Sequence, residues 1–269
     1  MCLKKMTTSE KLKSLRALLA DARSAVIALS GGTDSTFLTY TAAGIKGLRL
    51  IAVTVNTPYM FASEVKEAEA FCNETGVEHR EISIDIPNTI INNPSDRCYL
   101  CKKEVMSAIA GIAAKEELEY IFDGTNADDL HEYRPGIQAL RETGVRSPLA
   151  ETGLTKDEIR ELARKAGLEV SDRPSNTCLL TRFPHDAIVT PMELSRAGEA
   201  ENYITSLGFR GSRVRIHGDL VRIEWREDHF EAMMKADTRR RITSALKAMG
   251  YRYITFDAEG YRSGSMDNK

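Results

Sequence analysis

The order of elements along the chain predicts an α/β protein: a doubly wound parallel sheet followed by a small α+β domain. Two observations lead there. Apolar stretches at 24–29, 49–55, 79–84 and 119–123 alternate with helical patterns at 9–21, 34–45, 61–75 and 102–117. Strands separated by helices pair in parallel, with helices packed on both faces of the sheet. Beyond residue 191 the order changes. A helix at 191–207 precedes two short strands, 212–217 and 220–226, which His217-Gly218-Asp219 joins as a hairpin.

In the first region the strand at 24–29 runs into a helix whose apolar face begins with Phe37, Leu38 and Tyr40. The helix at 61–75 carries Cys72 on its apolar face, a position that reads as core packing. Thr155 caps a helix at 156–166, Glu158 three residues on completes a capping box, and Gly167 ends it. The Pro- and Ser-bearing stretch 170–191 reads as a long loop and divides a domain at 1–185 from one at 186–269. Helical patterns around 228–234 and 237–249 and a last strand at 251–256 complete the second domain, and 260–269 reads as a loose tail.

Composition bounds the function. With 269 residues, 42% of them hydrophobic, the chain can build one large or two modest cores. Its 37 basic and 39 acidic side chains give a net charge of -2, so no global field draws it to nucleic acid or to an anionic membrane. No apolar run approaches the roughly 20 residues of a membrane-spanning helix, and the first six residues, Met1-Cys2-Leu3-Lys4-Lys5-Met6, lack the apolar core of a signal peptide. The expectation is a cytoplasmic protein. Five cysteines in such a chain point to thiol or metal chemistry rather than to a disulfide framework.

The most informative segment joins the first strand to the next helix: Ser30-Gly31-Gly32-Thr33-Asp34-Ser35-Thr36. Gly31 and Gly32 let the backbone turn tightly against an anion that the positive end of the helix attracts. Ser30, Ser35 and Thr36 add hydroxyl donors, and Asp34 suits a Mg2+ ion. The loop lacks Gly-x4-Gly-Lys-[Ser/Thr], so it is not the kinase and GTPase P-loop. It resembles the pyrophosphatase loop of the PP-loop enzymes, a similarity that implies an adenine nucleotide alpha hydrolase-like fold and cleavage of ATP between its α and β phosphates. Ligands of such sheets sit beyond the carboxyl ends of the strands. Val53 and Asn56, at the end of the second strand, are candidates for reading adenine. Gly124-Thr125-Asn126, at the end of the fourth, is a second nucleotide element, with Asp128 and Asp129 as candidates for metal or pyrophosphate.

Cys98-Tyr99-Leu100-Cys101 opens a helix, where thiolates are favoured. Taken alone the pair reads equally as a zinc half-site, a redox dithiol or cluster ligands. Cys178 lies in the long loop between prolines and near Arg173 and Arg182, and Cys2 is incidental. Three candidate thiolates suit a [4Fe-4S] cluster with one iron left open. Arg213 and Arg215 alternate on one strand and so share a face, which reads either as a solvated hairpin face or as guanidinium forks that match a phosphate, the second being the choice that the family motif named below favours. Glu199, Glu201 and Glu224 are carboxylates assigned to the same neighbourhood.

In order along the chain, Ser-Gly-Gly-x-Asp-Ser, Cys-Tyr-x-Cys-Lys, Gly-Thr-Asn-x-Asp-Asp, Arg146-Ser147-Pro148-Leu149, Pro-Ser-x-x-Cys-Leu-x-x-Arg-Phe-Pro and Arg213-Val214-Arg215-x-His217-Gly218 resemble the LarE family of sulfur transferases. The resemblance covers about residues 9–257. It implies that ATP adenylates a carboxylate of pyridinium-3,5-biscarboxylic acid mononucleotide, releasing pyrophosphate, and that sulfur then displaces AMP to leave a thiocarboxylate. The product belongs to synthesis of the nickel-pincer nucleotide cofactor of lactate racemase. It further implies that Cys178 is the sulfur-carrying cysteine and that Arg182 contacts substrate or adenylate. In the best-known members that single cysteine surrenders its own sulfur; the added Cys98 and Cys101 resemble the branch in which three cysteines hold a [4Fe-4S] cluster and a cluster-bound sulfide is delivered. Sulfide or another sulfur donor and a homo-oligomeric assembly follow from the same resemblance. Competing expectations are tRNA 2-thiolation, which the net charge opposes, an ammonia-using synthetase, which leaves the cysteines unexplained, and a sensor that binds ATP without turnover.

Overall fold

The computed structural model describes residues 6–131, 135–172, 177–262 and 264–266. They form two compact units. The first comprises Met1–Thr57, Ala62–Pro87 and Asp96–Ser175; the second comprises Pro58–Phe61, Asn88–Ser95 and Asn176–Lys269.

The first unit is built from α1 (Thr8–Asp21), β1 (Ser24–Ala28), α2 (Thr33–Ala43), β2 (Arg49–Asn56), α3 (Ala62–Thr75), β3 (Glu78–Ser83), α4 (Arg97–Lys115), β4 (Tyr120–Phe122), α5 (Pro135–Glu142), α6 (Pro148–Glu151) and α7 (Lys156–Lys165). Its sheet has the order β3-β2-β1-β4, with all three pairings parallel. The alternation of β1 explains its two cores. Ala25 and Ile27 pack with Leu15 and Leu19 of α1, Phe37 and Leu38 of α2, and Ile159 and Ala163 of α7. Val26 faces the other way, with Ile51, Val53 and Val55 of β2 against Met106 and Ile109 of α4 and Leu140 of α5. The sheet is therefore doubly wound. Leu29 and Ala52 meet Ala68 and Cys72 of α3 in a smaller cluster.

Local chemistry sets the helix starts. Thr7 and Thr155 cap α1 and α7, each in a reciprocal box with a glutamate three residues on. The α4 helix begins at Arg97, so Cys98 and Cys101 both lie in its first two turns.

The second unit contains α8 (Pro191–Ser206), β5 (Arg213–His217), β6 (Leu220–Glu224), α9 (Phe230–Met234), α10 (Ala236–Ala248) and β7 (Tyr253–Phe256). The hairpin β5-β6 is antiparallel and β7 joins β6 in parallel, giving the order β5-β6-β7. Val214, Ile216, Val221 and Ile223 turn one face of this sheet inward. Segment 177–189 is tied down by the two short pieces from earlier in the chain. Leu179 N–H donates to Tyr59 O, Asn93 Nδ2 donates to the carbonyls of Leu180, Phe183 and Pro184, and Val189 N–H donates to Ile91 O.

One expectation is corrected. The described part of 260–269 is docked, not loose: the Tyr261 ring lies 5.5 Å from the Arg213 guanidinium, Ser265 Oγ donates to Glu224, and Arg222 meets the Met266 sulfur. Cys2, Arg173, Pro174, Ser175 and Asn176 lie outside the described residues.

Candidate functional site

In the first unit the nucleotide candidates gather at the carboxyl ends of β1 and β4. Gly31 has a φ of +75°, and a Cβ there would lie 2.8 Å from the Glu64 carbonyl oxygen. Only glycine fits that turn. Gly32 is the N-cap of α2 and supplies no side-chain cap, which leaves the N–H groups of the first turn for an anion. The Ser30 and Ser35 hydroxyls stand 3.0 Å apart, Ser35 Oγ reaches Gly32 O, and Thr36 is buried beside them. Gly124 closes on the same loop: a Cβ at that position would lie 2.8 Å from the Ser35 amide nitrogen.

Asn126 ties the two elements together. Wholly buried, it donates from Nδ2 to Asp34 Oδ2 (3.0 Å), while its Oδ1 accepts the N–H groups of Asp128 and Asp129. Thr125 is held through its hydroxyl by Asp123, which also accepts from Ser147 Oγ. Asp34 Oδ1 is buried without a hydrogen-bond partner. Burial pushes the Asp34 carboxyl above the usual carboxylate range, against the pull of Lys156, the Asn126 hydrogen bond and Arg160, while Asp129 pushes it further up. A buried carboxylate oxygen lacking a donor fits a cation, so Asp34 suits Mg2+. Asp128 is occupied differently: its Oδ2 accepts the Lys156 N–H at 2.8 Å. Lys156 and Arg160, on the first turns of α7, are cations beside Asp34 that sequence reasoning passed over. Their signal was the Thr155 capping box, which fixes where α7 starts. Val53 and Asn56 end β2 with their carbonyls engaged by Leu29 N–H and Ile84 N–H, and the Asn56 side chain donates to Glu81.

Cys98 is exposed and Cys101 half-buried, both outside any disulfide and three residues apart on one face of α4. No side chain caps that helix start. Cys72 is different: burial pushes its thiol up to about 11, which keeps it protonated and inert. Among the described residues no group of three or more His, Cys, Asp and Glu side chains stands together as a metal site.

In the second unit Cys178, half-buried and in no disulfide, precedes the short 3-10 turn Leu179–Arg182. Arg182 is completely buried and forks onto Glu201 of α8 at 2.7 and 2.8 Å. Arg213 and Arg215 share a face of β5 and are also buried: Arg213 lies 3.4 Å from Glu201, and Arg215 binds Glu224 at 2.8 Å. Burial lowers the Arg213 pKa below its usual value, with Glu201 opposing. Glu199 is exposed and meets only Ser195 among the contacts described for it.

Comparison with known proteins sets this arrangement in a family. Residues 24–96 match the model of the queuosine biosynthesis protein QueC. An uncharacterized protein of Synechocystis sp. is 36% identical over 260 residues, 96% of this chain and 97% of its own length. The pyridinium-3,5-bisthiocarboxylic acid mononucleotide synthase of Lactiplantibacillus plantarum is 32% identical over 265 residues, 97% of this chain and 95% of its own. The chain belongs to the LarE family. It is accordingly a PP-loop enzyme of the ATP-dependent sulfurtransferase class. A shorter likeness, 30% identity over 176 residues, covers 60% of this LarE-family chain and 57% of a glutamine-hydrolyzing GMP synthase component from Archaeoglobus fulgidus. No described helix is long and apolar enough to cross a membrane.

Proposed function

We propose that the protein inserts sulfur into pyridinium-3,5-biscarboxylic acid mononucleotide, on the way to the nickel-pincer nucleotide of lactate racemase. The observation that carries the proposal is the similarity of nearly the whole chain to the Lactiplantibacillus plantarum synthase. A carboxylate is a poor electrophile because it must expel oxide. In the first step a substrate carboxylate oxygen attacks the ATP α-phosphorus, the α–β phosphoanhydride bond breaks, and pyrophosphate leaves. In the second, sulfide adds to the acyl carbon, AMP leaves with the former carboxylate oxygen, and a thiocarboxylate remains.

Ser30, Gly31, Gly32, Ser35 and Thr36 bind the phosphates in this reading, with Gly124, Thr125 and Asn126 closing the opposite wall. Val53 and Asn56 lie toward the adenine. Asp34 holds Mg2+, Asp128 is the second acidic candidate, and Lys156 and Arg160 neutralise the leaving pyrophosphate. The substrate's phosphate goes to Arg213 and Arg215. Both are already ion-paired, and Tyr261 stacks on Arg213, so binding requires the 260–266 segment to lift.

Cys98, Cys101 and Cys178 are the proposed ligands of a [4Fe-4S] cluster; their chemistry fits, since all three are at least partly accessible thiols outside any disulfide. When bound, such a cluster supplies a sulfide on its open iron. Anaerobic purification followed by iron and sulfide analysis, pyrophosphate assay and mass spectrometry after turnover tests the whole reading. About four irons per chain and an unchanged Cys178 mass are expected. Loss of one sulfur at Cys178, with full activity in the Cys98→Ala/Cys101→Ala double variant, would replace the cluster by a cysteine that gives up its own sulfur. Absence of pyrophosphate release would remove the enzyme reading altogether, and an anaerobic preparation holding zinc without iron would leave the Cys-x-x-Cys a structural site.

A further inference from the structure

A four-residue turn beside Cys178 engages two buried arginine–carboxylate pairs. Arg182 exposes no surface, and every nitrogen of its guanidinium is engaged: Nε and Nη2 on Glu201, and Nη1 on the hydroxyls of Thr177 and Thr181, both at 2.6 Å. A guanidinium only donates. Thr181 Oγ1 therefore accepts from Arg182, and its single hydrogen goes to the Cys178 carbonyl, 2.8 Å away. The Thr181 backbone N–H donates to the same carbonyl at 3.0 Å. On the far side Arg215 Nη1 donates to Thr181 O at 2.9 Å while its Nε holds Glu224. Leu179 N–H is fixed on Tyr59 O. The peptide group joining Cys178 to Leu179 is thus held at both its carbonyl and its N–H, with Cys178 at φ -56°, ψ 150° and half-buried.

Burying these charges is expensive, and apolar residues of similar volume would often be as stable. What the arrangement supplies is one conformation for one turn. We propose that Arg182 and Thr181 are positioning residues that aim the Cys178 sulfur, acting through the Cys178 carbonyl rather than by touching substrate or nucleotide. The proposal rests on the reading of Cys178 as a residue of the sulfur-transfer site. It reassigns Arg182 from a substrate contact to the anchor of a relay running Glu201, Arg182, Thr181, Cys178.

The discriminating variants are Thr181→Val, which keeps the shape and removes the hydroxyl, Thr181→Ser, which restores it, and Arg182→Lys, which keeps the charge and loses the fork. Two readouts are taken on the full-length protein. One is sulfur transfer resolved into kcat and KM. The other is the rate at which iodoacetamide alkylates Cys178, read by peptide mass spectrometry after iron chelation and reduction. Thr181→Val and Arg182→Lys are expected to lower kcat at least tenfold with KM nearly unchanged, and to change the alkylation rate at Cys178 but not at Cys98. Thr181→Ser should recover both. A rise in KM with kcat intact would make Arg182 a substrate contact and overturn the proposal. So would an unaltered alkylation rate in Thr181→Val, or a loss of transfer that only tracks a fall in melting temperature and that Thr181→Ser fails to rescue. Cys178→Ala separates the two levels: if it transfers sulfur at the full rate, the reading of Cys178 as part of the transfer site falls, while the alkylation series still decides whether the relay aims the thiol.

Discussion

Glu158 gives the sharpest quantitative test, because one carboxylate caps α7, ties it to α1 and sets where Lys156 stands. Its Oε2 accepts the Thr155 N–H at 2.9 Å and Lys11 Nζ at 2.6 Å, and its Oε1 accepts the Thr8 hydroxyl at 3.0 Å. Desolvation pushes its pKa up, but the hydrogen bonds from Lys11, Thr155 and Thr8 together pull harder and bring it from 4.5 to about 2. At about 1.4 kcal/mol per pKa unit the full difference is worth about 3 kcal/mol. The carboxylate still touches water, with a side-chain exposure of 20%, and screening reduces the contribution to about 1–2 kcal/mol. The folded pKa is depressed, so the unfolded chain binds the proton more readily. The stability is complete above the unfolded value and drains away as pH falls through the folded one. Glu158→Gln should therefore cost about 1–2 kcal/mol near pH 7, and its gap to the parent should narrow by about pH 3. Urea denaturation followed by far-ultraviolet circular dichroism measures this; the fluorescence of the single tryptophan, Trp225, reports on the second unit instead. A gap of equal size at both pH values would show that the carboxylate's charge contributes nothing, and no gap at all would refute the capping argument too.

Asp34→Asn should raise the melting temperature of the ATP-free protein near neutral pH. Burial lifts the Asp34 pKa, so its ionised form opposes folding above that value, and amide replacement removes the penalty. The same variant should lose at least ~100-fold in pyrophosphate release; a destabilised or fully active protein would count against the Mg2+ assignment. In Gly124→Ala the new methyl meets the Ser35 amide nitrogen at 2.8 Å, so ATP affinity measured by calorimetry should fall about tenfold or more, with a stability cost of about 1–3 kcal/mol; unchanged affinity would remove Gly124 from the nucleotide wall. Brief alkylation of the native protein should modify Cys98 and spare Cys72, whose thiol is fully buried and pushed up to about 11; early labelling of Cys72 would mean that α3 opens readily. Arg213→Ala should weaken binding of the pyridinium mononucleotide while ATP binding by calorimetry is kept, and equal loss of both would point to misfolding.

Much of the first unit was legible because its signals are local. The inner strands β1 and β2 are short apolar runs, α1 and α3 bury one periodic face, and Thr155 with Glu158 marks the start of α7 to the residue. The membership of Pro58–Phe61 and Asn88–Ser95 in the second unit had no such signal. Those pieces are held by backbone groups, Tyr59 O to Leu179 N–H and Ile91 O to Val189 N–H, and by one asparagine, Asn93, whose side chain serves three carbonyls. Backbone pairing between distant loops leaves no periodicity to read. The docked tail escaped for a related reason. Tyr261, Ser265 and Met266 form no pattern among themselves, and their partners Arg213, Glu224 and Arg222 share a surface only once the β5-β6 register is set.

The candidate site shows what residue type tells and what it leaves out. Two arginines at alternate positions of β5 look like a phosphate clamp, because alternation tells which side chains share a face and says nothing about what already covers it. What covers it is carboxylate: Glu224 sits across from Arg213 in the β5-β6 register and takes Arg215, while Glu201 reaches in from α8 to hold Arg182 and Arg213. Glu201 is shared by Arg182 and Arg213, and Glu224 by Arg215 and Arg222, so removing either buried carboxylate would leave two guanidinium groups without their anion. For Arg182 the consequence follows from burial: a side chain with no exposed surface and every guanidinium nitrogen engaged acts through the groups it holds. Those groups are Thr177, Thr181 and, through Thr181, the backbone of Cys178. In this reading a motif in which cysteine and arginine stand four residues apart encodes a thiol together with its mount, and an arginine beside a cysteine is not by itself a cation offered to the substrate.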